Sequence, residues 1–281
     1  MFKVIFLGEL TFWKKNPLTY VYGILLFAIT LLAMWGMAVD ELSGPNLTVQ
    51  NAPHRLNYLA NYMNQLMIFI LPSIIGVSIY RDYSSGIFHI TYSYPFSKYE
   101  YLLAKFCSAL VLTLVIVFMM ATGFAMGALM PGVNPEAVQP FEFKTYLTTY
   151  LLQIIPNLFL TSVLIFAVVA YSRNIYLGFI IIILLVILHS IVGYLPESFA
   201  SIVDPSGASA LKKSTRYWTL SDRNTLDLPI SNSFILNRIV WTLVSLIAGA
   251  IFVVKFRLGQ FKNRRKFRKE TNHRIPLPTH I

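Results

Sequence analysis

The chain has 281 residues, 56% of them hydrophobic and only 12% charged, with a net charge of +11. An ordinary soluble domain carries about 25% charged residues, so the composition excludes a water-soluble globule and points to a membrane protein. One cysteine, Cys107, excludes an internal disulfide and reads as a small packing residue.

Phe2–Trp13 comes first in the chain. Glu9 interrupts its apolar run, no small-residue cleavage site follows, and Lys14-Lys15 comes after the run rather than before it. These features predict a retained segment, not a cleaved signal. It either lies along the inner membrane face or is buried, and it turns at Asn16-Pro17.

Six apolar stretches follow: Leu18–Val39, Leu59–Tyr80, Phe106–Met130, Thr145–Tyr171, Ile175–Leu195 and Phe234–Val254. Each has about the 20 residues a helix needs to cross a bilayer. The unbroken apolar run from Ile180 to Leu188 lacks the alternation of a barrel strand. The predicted fold is all-α: a polytopic membrane protein with six transmembrane helices, an N-terminal interfacial helix and both termini cytoplasmic. Residues 1–256 form one transmembrane domain, and residues 257–281 a basic cytoplasmic tail.

With that threading, 16 of the 23 Lys and Arg residues fall inside and 7 outside, as the positive-inside rule requires. The basic surplus therefore reads as topology and contact with anionic lipid, not as a nucleic-acid footprint. Asp40–Tyr58 is a short polar outer loop, Pro131–Lys144 a second one, Ser172–Asn174 a tight inner turn, and Pro196–Ser233 the largest outer segment. Asn46-Leu47-Thr48 matches a glycosylation acceptor, a three-residue pattern that recurs by chance.

Within the spans, Pro72 with Gly76 and Pro156 beside Asn157 predict helix bends. Asn64, Gln65, Gln153, Asn157 and His189 are polar at membrane depth; they either line a path or hydrogen-bond between helices. The spans contain no Asp or Glu, which removes the usual apparatus of an ion-coupled carrier. The chain also lacks a Gly-x-x-x-x-Gly-Lys-Ser/Thr loop, His-Glu-x-x-His, Gly-x-Ser-x-Gly and clustered metal ligands. No catalytic or metal-binding role is expected, and energy for any uphill transport enters from another subunit.

The inner segment after span two begins Tyr80-Arg81-Asp82-Tyr83-Ser84-Ser85-Gly86 and returns through Pro95-Phe96-Ser97-Lys98 towards Lys105, with Tyr92, Tyr94, Tyr99 and Tyr101 along it. Aromatic side chains with polar tips suit a membrane surface or a protein interface. The order of parts, with this basic-acidic pair, Gly86, Pro95 and Lys98, resembles the membrane subunit of ABC-2 type ABC transporters. Asp82 departs from the more usual Glu. The resemblance implies a permease, read as an exporter, in a bacterial cytoplasmic membrane. Its partners are an ATP-binding subunit, a second half-unit and lipid, with ATP bound by the partner. Arg81, Asp82, Gly86, Pro95 and Lys98 are its expected coupling residues, Arg81 and Asp82 acting through a hydrogen-bonded pair and contacts to the motor.

The last outer segment narrows the resemblance. Asp204-Pro205-x-Gly207, Thr215-Arg216-Tyr217-Trp218-Thr219, Asp222-Arg223-Asn224-Thr225 and Asn237-Arg238-x-x-Trp241 are similar to a bacterial branch often joined to an M1-type aminopeptidase domain. Ser206 and Asn232 depart from that branch, and no zinc-peptidase signature is present, so peptidase activity is not implied. Tyr217, Trp218 and Trp241 serve either as headgroup anchors or as a substrate gate. The alternative function is a membrane anchor or scaffold of a peptidase-linked complex with no transport of its own.

Overall fold

The computed structural model describes residues 1–39, 49–86 and 96–256, and among them the regular structure is helical, with no strand. Helix α1 covers Phe2–Lys15. Asn16 leaves the helical region and its side chain accepts from the Leu18 N–H at 3.1 Å, which starts α2, Pro17–Val39, with proline at a position needing no donor. Chain reversal at Asn16-Pro17 is thus built from one cap and one proline.

Helix α3, Pro53–Met67, and helix α4, Pro72–Ser84, form a pair bent by 43°. Pro72 has no N–H to give and its ring crowds the carbonyl four residues earlier, and the chain takes a wide π-turn over Pro72–Gly76. The bend expected at Pro72 is present. Helix α5, Lys98–Gly127, opens on a reciprocal cap in which Ser97 accepts from Glu100 N–H and Glu100 accepts from Ser97 N–H. Helix α6, Phe143–Ser172, runs through as one span; its irregularity is a π-turn at Tyr150–Ile154, immediately before Pro156. Arg173 in the left-handed region and Asn174 as a cap turn the chain into α7, Ile175–Val192. Three short helices, α8 (Glu197–Val203), α9 (Ala208–Ser214) and α10 (Leu220–Thr225), precede α11, Asn232–Lys255.

Five of these helices are long and apolar enough to cross a bilayer, and the bent α3–α4 pair makes six if it counts as one span. The chain is a multi-pass membrane protein. Its lipid-facing surface is explicit on α7, where Ile180, Ile183, Leu184, Ile187 and Ile191 are exposed. In water such a face is an aggregation site; in hydrocarbon it needs no cover.

The main core cluster includes Leu71, Ile75, Ile116, Val117, Ile165 and Val169, all but inaccessible, and a smaller one joins Ala210, Leu211 and Phe234. Helices α2 and α5 approach closely because Gly123 and Gly127 leave room: a Cβ on Gly123 would lie 2.6 Å from the Phe27 carbonyl, and one on Gly127 2.6 Å from that of Leu31. Small residues four apart let backbones meet where apolar burial gives no driving force between helices.

Candidate functional site

Polar side chains concentrate at the two ends of the bundle. At the end that holds α1, Glu9 is buried despite its apolar surroundings. Its Oε1 lies 2.6 Å from an Arg81 guanidinium nitrogen and 2.7 Å from Lys105 Nζ. Lys105 also lies 2.8 Å from Asp82 Oδ1 and donates to the Ser78 carbonyl at 3.1 Å. The Tyr101 hydroxyl donates to Asp82 Oδ2 at 2.8 Å. Two acids and two bases thus neutralise one another at the junction of α1, α4 and α5. Arg81 completes the junction by stacking over the Phe12 ring, 3.6 Å from its centroid. A buried carboxylate without such partners is too costly to persist, so the cations of α4 and α5 explain how Glu9 sits inside.

This geometry corrects the expected Arg81–Asp82 pair. Adjacent residues on a helix point about 100° apart and do not face each other; Arg81 reaches α1, while Asp82 turns to α5. Gly86 ends α4 at φ +71, a conformation that favours glycine. Lys98 is placed differently from the other coupling candidates: its Nζ donates to the carbonyls of Val253, Val254 and Phe256 at 3.0–3.3 Å, capping the C-terminus of α11. Pro95, Tyr92 and Tyr94, the tail 257–281 and Asn46-Leu47-Thr48 lie outside the described residues.

At the opposite end, the turn after α8 is tied into the bundle. Asp204 is fully buried. Its Oδ1 accepts from Ser206 N–H and hydroxyl at 2.9 and 2.7 Å and lies 3.3 Å from His189 Nδ1, and its Oδ2 accepts from Ser209 N–H at 2.8 Å. Burial pushes this carboxyl up, but the bonds from His189, Ser206 and Ser209 outweigh it and hold the group well below its ordinary value of 3.8. Gln153 and Asn157 donate to the Ser206 carbonyl at 2.8 and 3.0 Å. Arg238 donates to Asn157 at 2.8 Å, and the Asn237 amide lies 2.8–3.0 Å from the carbonyls of Ser201, Ile202 and Asp204. Trp241 Nε1 donates to Ile202 O at 3.2 Å.

Gly207 has φ +74, and a Cβ there would run into the Arg238 guanidinium. Asp204, Gly207, Arg238 and Trp241 therefore converge on one node. Trp218, Arg223 and Asn224 gather elsewhere, over the start of α3, and Tyr217 stands apart, almost wholly exposed.

Beside the node, a cleft of about 90 Å³ lies between α3, α6, α7 and the Pro205-Ser206 turn. Asn64, Asn157, Thr161, His189 and Ser206 supply its polar side, and Ile68, Leu160 and Leu185 its apolar side. Gln153 bonds between elements, to Ser206 and also to Asn61; Asn157 and His189 both bond between elements and line the cleft. The two readings of the membrane-depth polar residues thus coexist. Among the described residues, no group of three or more His, Cys, Asp or Glu side chains is placed to hold a metal ion.

Three residues central to these nodes escaped the reading of the sequence: Glu9 as an ion-pair partner, Tyr101 as a donor and Gln153 as a tie to the loop. A lone acid in an apolar run is the signal by which the first could be found. No family model matches the chain, and no curated protein matches it.

Proposed function

We propose that this chain is the membrane unit of an ATP-driven transporter of the ABC-2 type, an exporter energised by a separate ATP-binding subunit. In this reading it crosses the bilayer six times, the α1 end faces the bacterial cytoplasm, and a second half-unit completes the pathway. The observation that supports it most is the ion-paired junction of Glu9, Arg81, Lys105 and Asp82. It locks α1, the end of α4 and the start of α5 into one unit at the root of the segment that follows Gly86. A push on that segment moves three helices together.

The uncharged spans, and a cleft whose lining is amide, hydroxyl and aliphatic apart from His189, favour an amphipathic cargo over a small ion. The π-turns before Val77 and Pro156 are the places where α4 and α6 can re-pack.

The test is isolation of the chain from its native membrane in mild detergent. A nucleotide-binding subunit should co-purify, and its ATP hydrolysis should change when Glu9→Gln weakens the junction. A chain that purifies without an ATPase, or with a peptidase alone, rejects the reading.

A further inference from the structure

Arg223 and Arg55 flank His54 in a basic cluster where α10 packs against the first turn of α3. The His54 ring lies 6.1 Å from that of Trp218, and Arg55 and Arg223 are its charged neighbours. Asn224 fixes the approach: its side chain accepts from Val49 N–H at 2.9 Å and its carbonyl from the Gln139 amide at 2.8 Å. Arg55 is oriented by Gln50 at 3.1 Å. All three cluster residues are half-buried.

Among the described residues, none of the three takes part in an ion pair. Asp222, the carboxylate next to Arg223, is spent on the Thr219 N–H and hydroxyl at 2.9 and 2.8 Å. Arg223 Nε is shielded from solvent and has no hydrogen-bond partner among the described residues. Such a guanidinium proton is costly to leave unmade. The cap position of α3 is Ala52, whose side chain cannot accept, so the cap residue gives the positive end of that helix no side-chain bond. The charge balance here contrasts with the junction at the α1 end, where Arg81 and Lys105 each have an acid.

We propose that this cluster is a binding site for a phosphate-type anion, with Arg223 and Arg55 as its donors and Trp218 as an apolar wall beside it. Guanidinium groups match tetrahedral oxyanions in geometry and stay charged at every working pH. The same chemistry is offered by the phosphate of an anionic lipid headgroup and by a soluble phosphate. Such a site would bind its anion whether or not the chain transports anything, pairs with an ATPase or faces this end to either side of the membrane.

The full chain in lipid nanodiscs tests it in two arms. In the first, native mass spectrometry compares retention of phosphatidylglycerol and of phosphatidylcholine. In the second, inorganic phosphate is titrated against chloride at equal ionic strength while the thermal midpoint is followed. Loss of one charge-assisted bond is worth about tenfold in affinity, so Arg223→Gln should cut retention or shift the phosphate titration about tenfold, and Arg223→Lys should restore part of it. Preference for phosphatidylglycerol that Arg223→Gln abolishes identifies a lipid source; a phosphate-dependent midpoint that it abolishes identifies a soluble one. If Arg223→Gln, Arg55→Gln and the wild type keep equal midpoints without ligand and respond alike in both arms, the site does not exist.

Discussion

Lys105 Nζ lies 2.7 Å from Glu9 Oε1, and both side chains are buried, so a residue of the first helix and one of the fifth form a single ionic contact inside the protein. Lys105 also holds Asp82. Arg81, by contrast, is a quarter exposed and touches Glu9 alone among the acids. Breaking a buried pair by removing one partner costs about 3–5 kcal/mol, whereas a partly exposed pair is worth about 1 kcal/mol or less. Lys105→Met should therefore destabilise the chain far more than Arg81→Met. Reversible unfolding in mixed micelles measures the difference, and equal losses would show that the junction is not organised around Lys105.

The close α2–α5 contact makes a paired prediction on two glycines. Gly123→Ala places a methyl group against backbone of α2 that cannot move aside, 2.6 Å from the Phe27 carbonyl. Overpacking of this kind costs about 1–3 kcal/mol. Gly36, also within α2, has nothing within 4 Å of its added Cβ, and Gly36→Ala should gain about 0.5–1 kcal/mol from helix preference. Thermal midpoints of the two variants should move in opposite directions.

Asp204 adds a pH dependence with a defined sign. Its carboxyl is held below its unfolded value of 3.8 in the folded chain, so its contribution is complete above about pH 4 and is lost as the pH falls further. The thermal midpoint should fall below pH 4, and Asp204→Asn should lower it at pH 7 and reduce the slope in acid. A slope unchanged in the variant would mean that other carboxylates set it.

Gly207 and Arg238 should behave as a coupled pair. Alanine at position 207 meets both the left-handed backbone, which disfavours side chains by about 1–2 kcal/mol, and the Arg238 guanidinium, 2.6 Å from Cζ. In an Arg238→Ala background only the backbone cost remains. A double-mutant cycle on stability should show this non-additivity; strict additivity would place the guanidinium elsewhere.

Much of the fold was legible because apolar length is a strong local signal. The spans emerge from runs such as Ile180 to Leu188, and the bend at Pro72 follows from a missing donor. The spacing of Gly123 and Gly127 was equally local and passed unread. Glu9 was harder: its partners lie 72 and 96 positions away, and nothing near it in the chain names them. Separations of 53 and 49 positions hid the role of Ser206, whose backbone carbonyl, not its side chain, receives Gln153 and Asn157. Arg81 and Asp82 are neighbours in sequence, but helix geometry sends them to different partners. Lys98 closes the end of α11, 155 positions away, and nothing near it in the chain names that contact.

In the proposed transporter, force from an ATPase enters at the end of α4. Ser85 is exposed there, and a photo-crosslinking amino acid at that position in living cells shows what touches it. A covalent product with a nucleotide-binding subunit is expected, and none from the same probe at the exposed Tyr217 of the opposite end. A product from Tyr217 and none from Ser85 would contradict that point of entry.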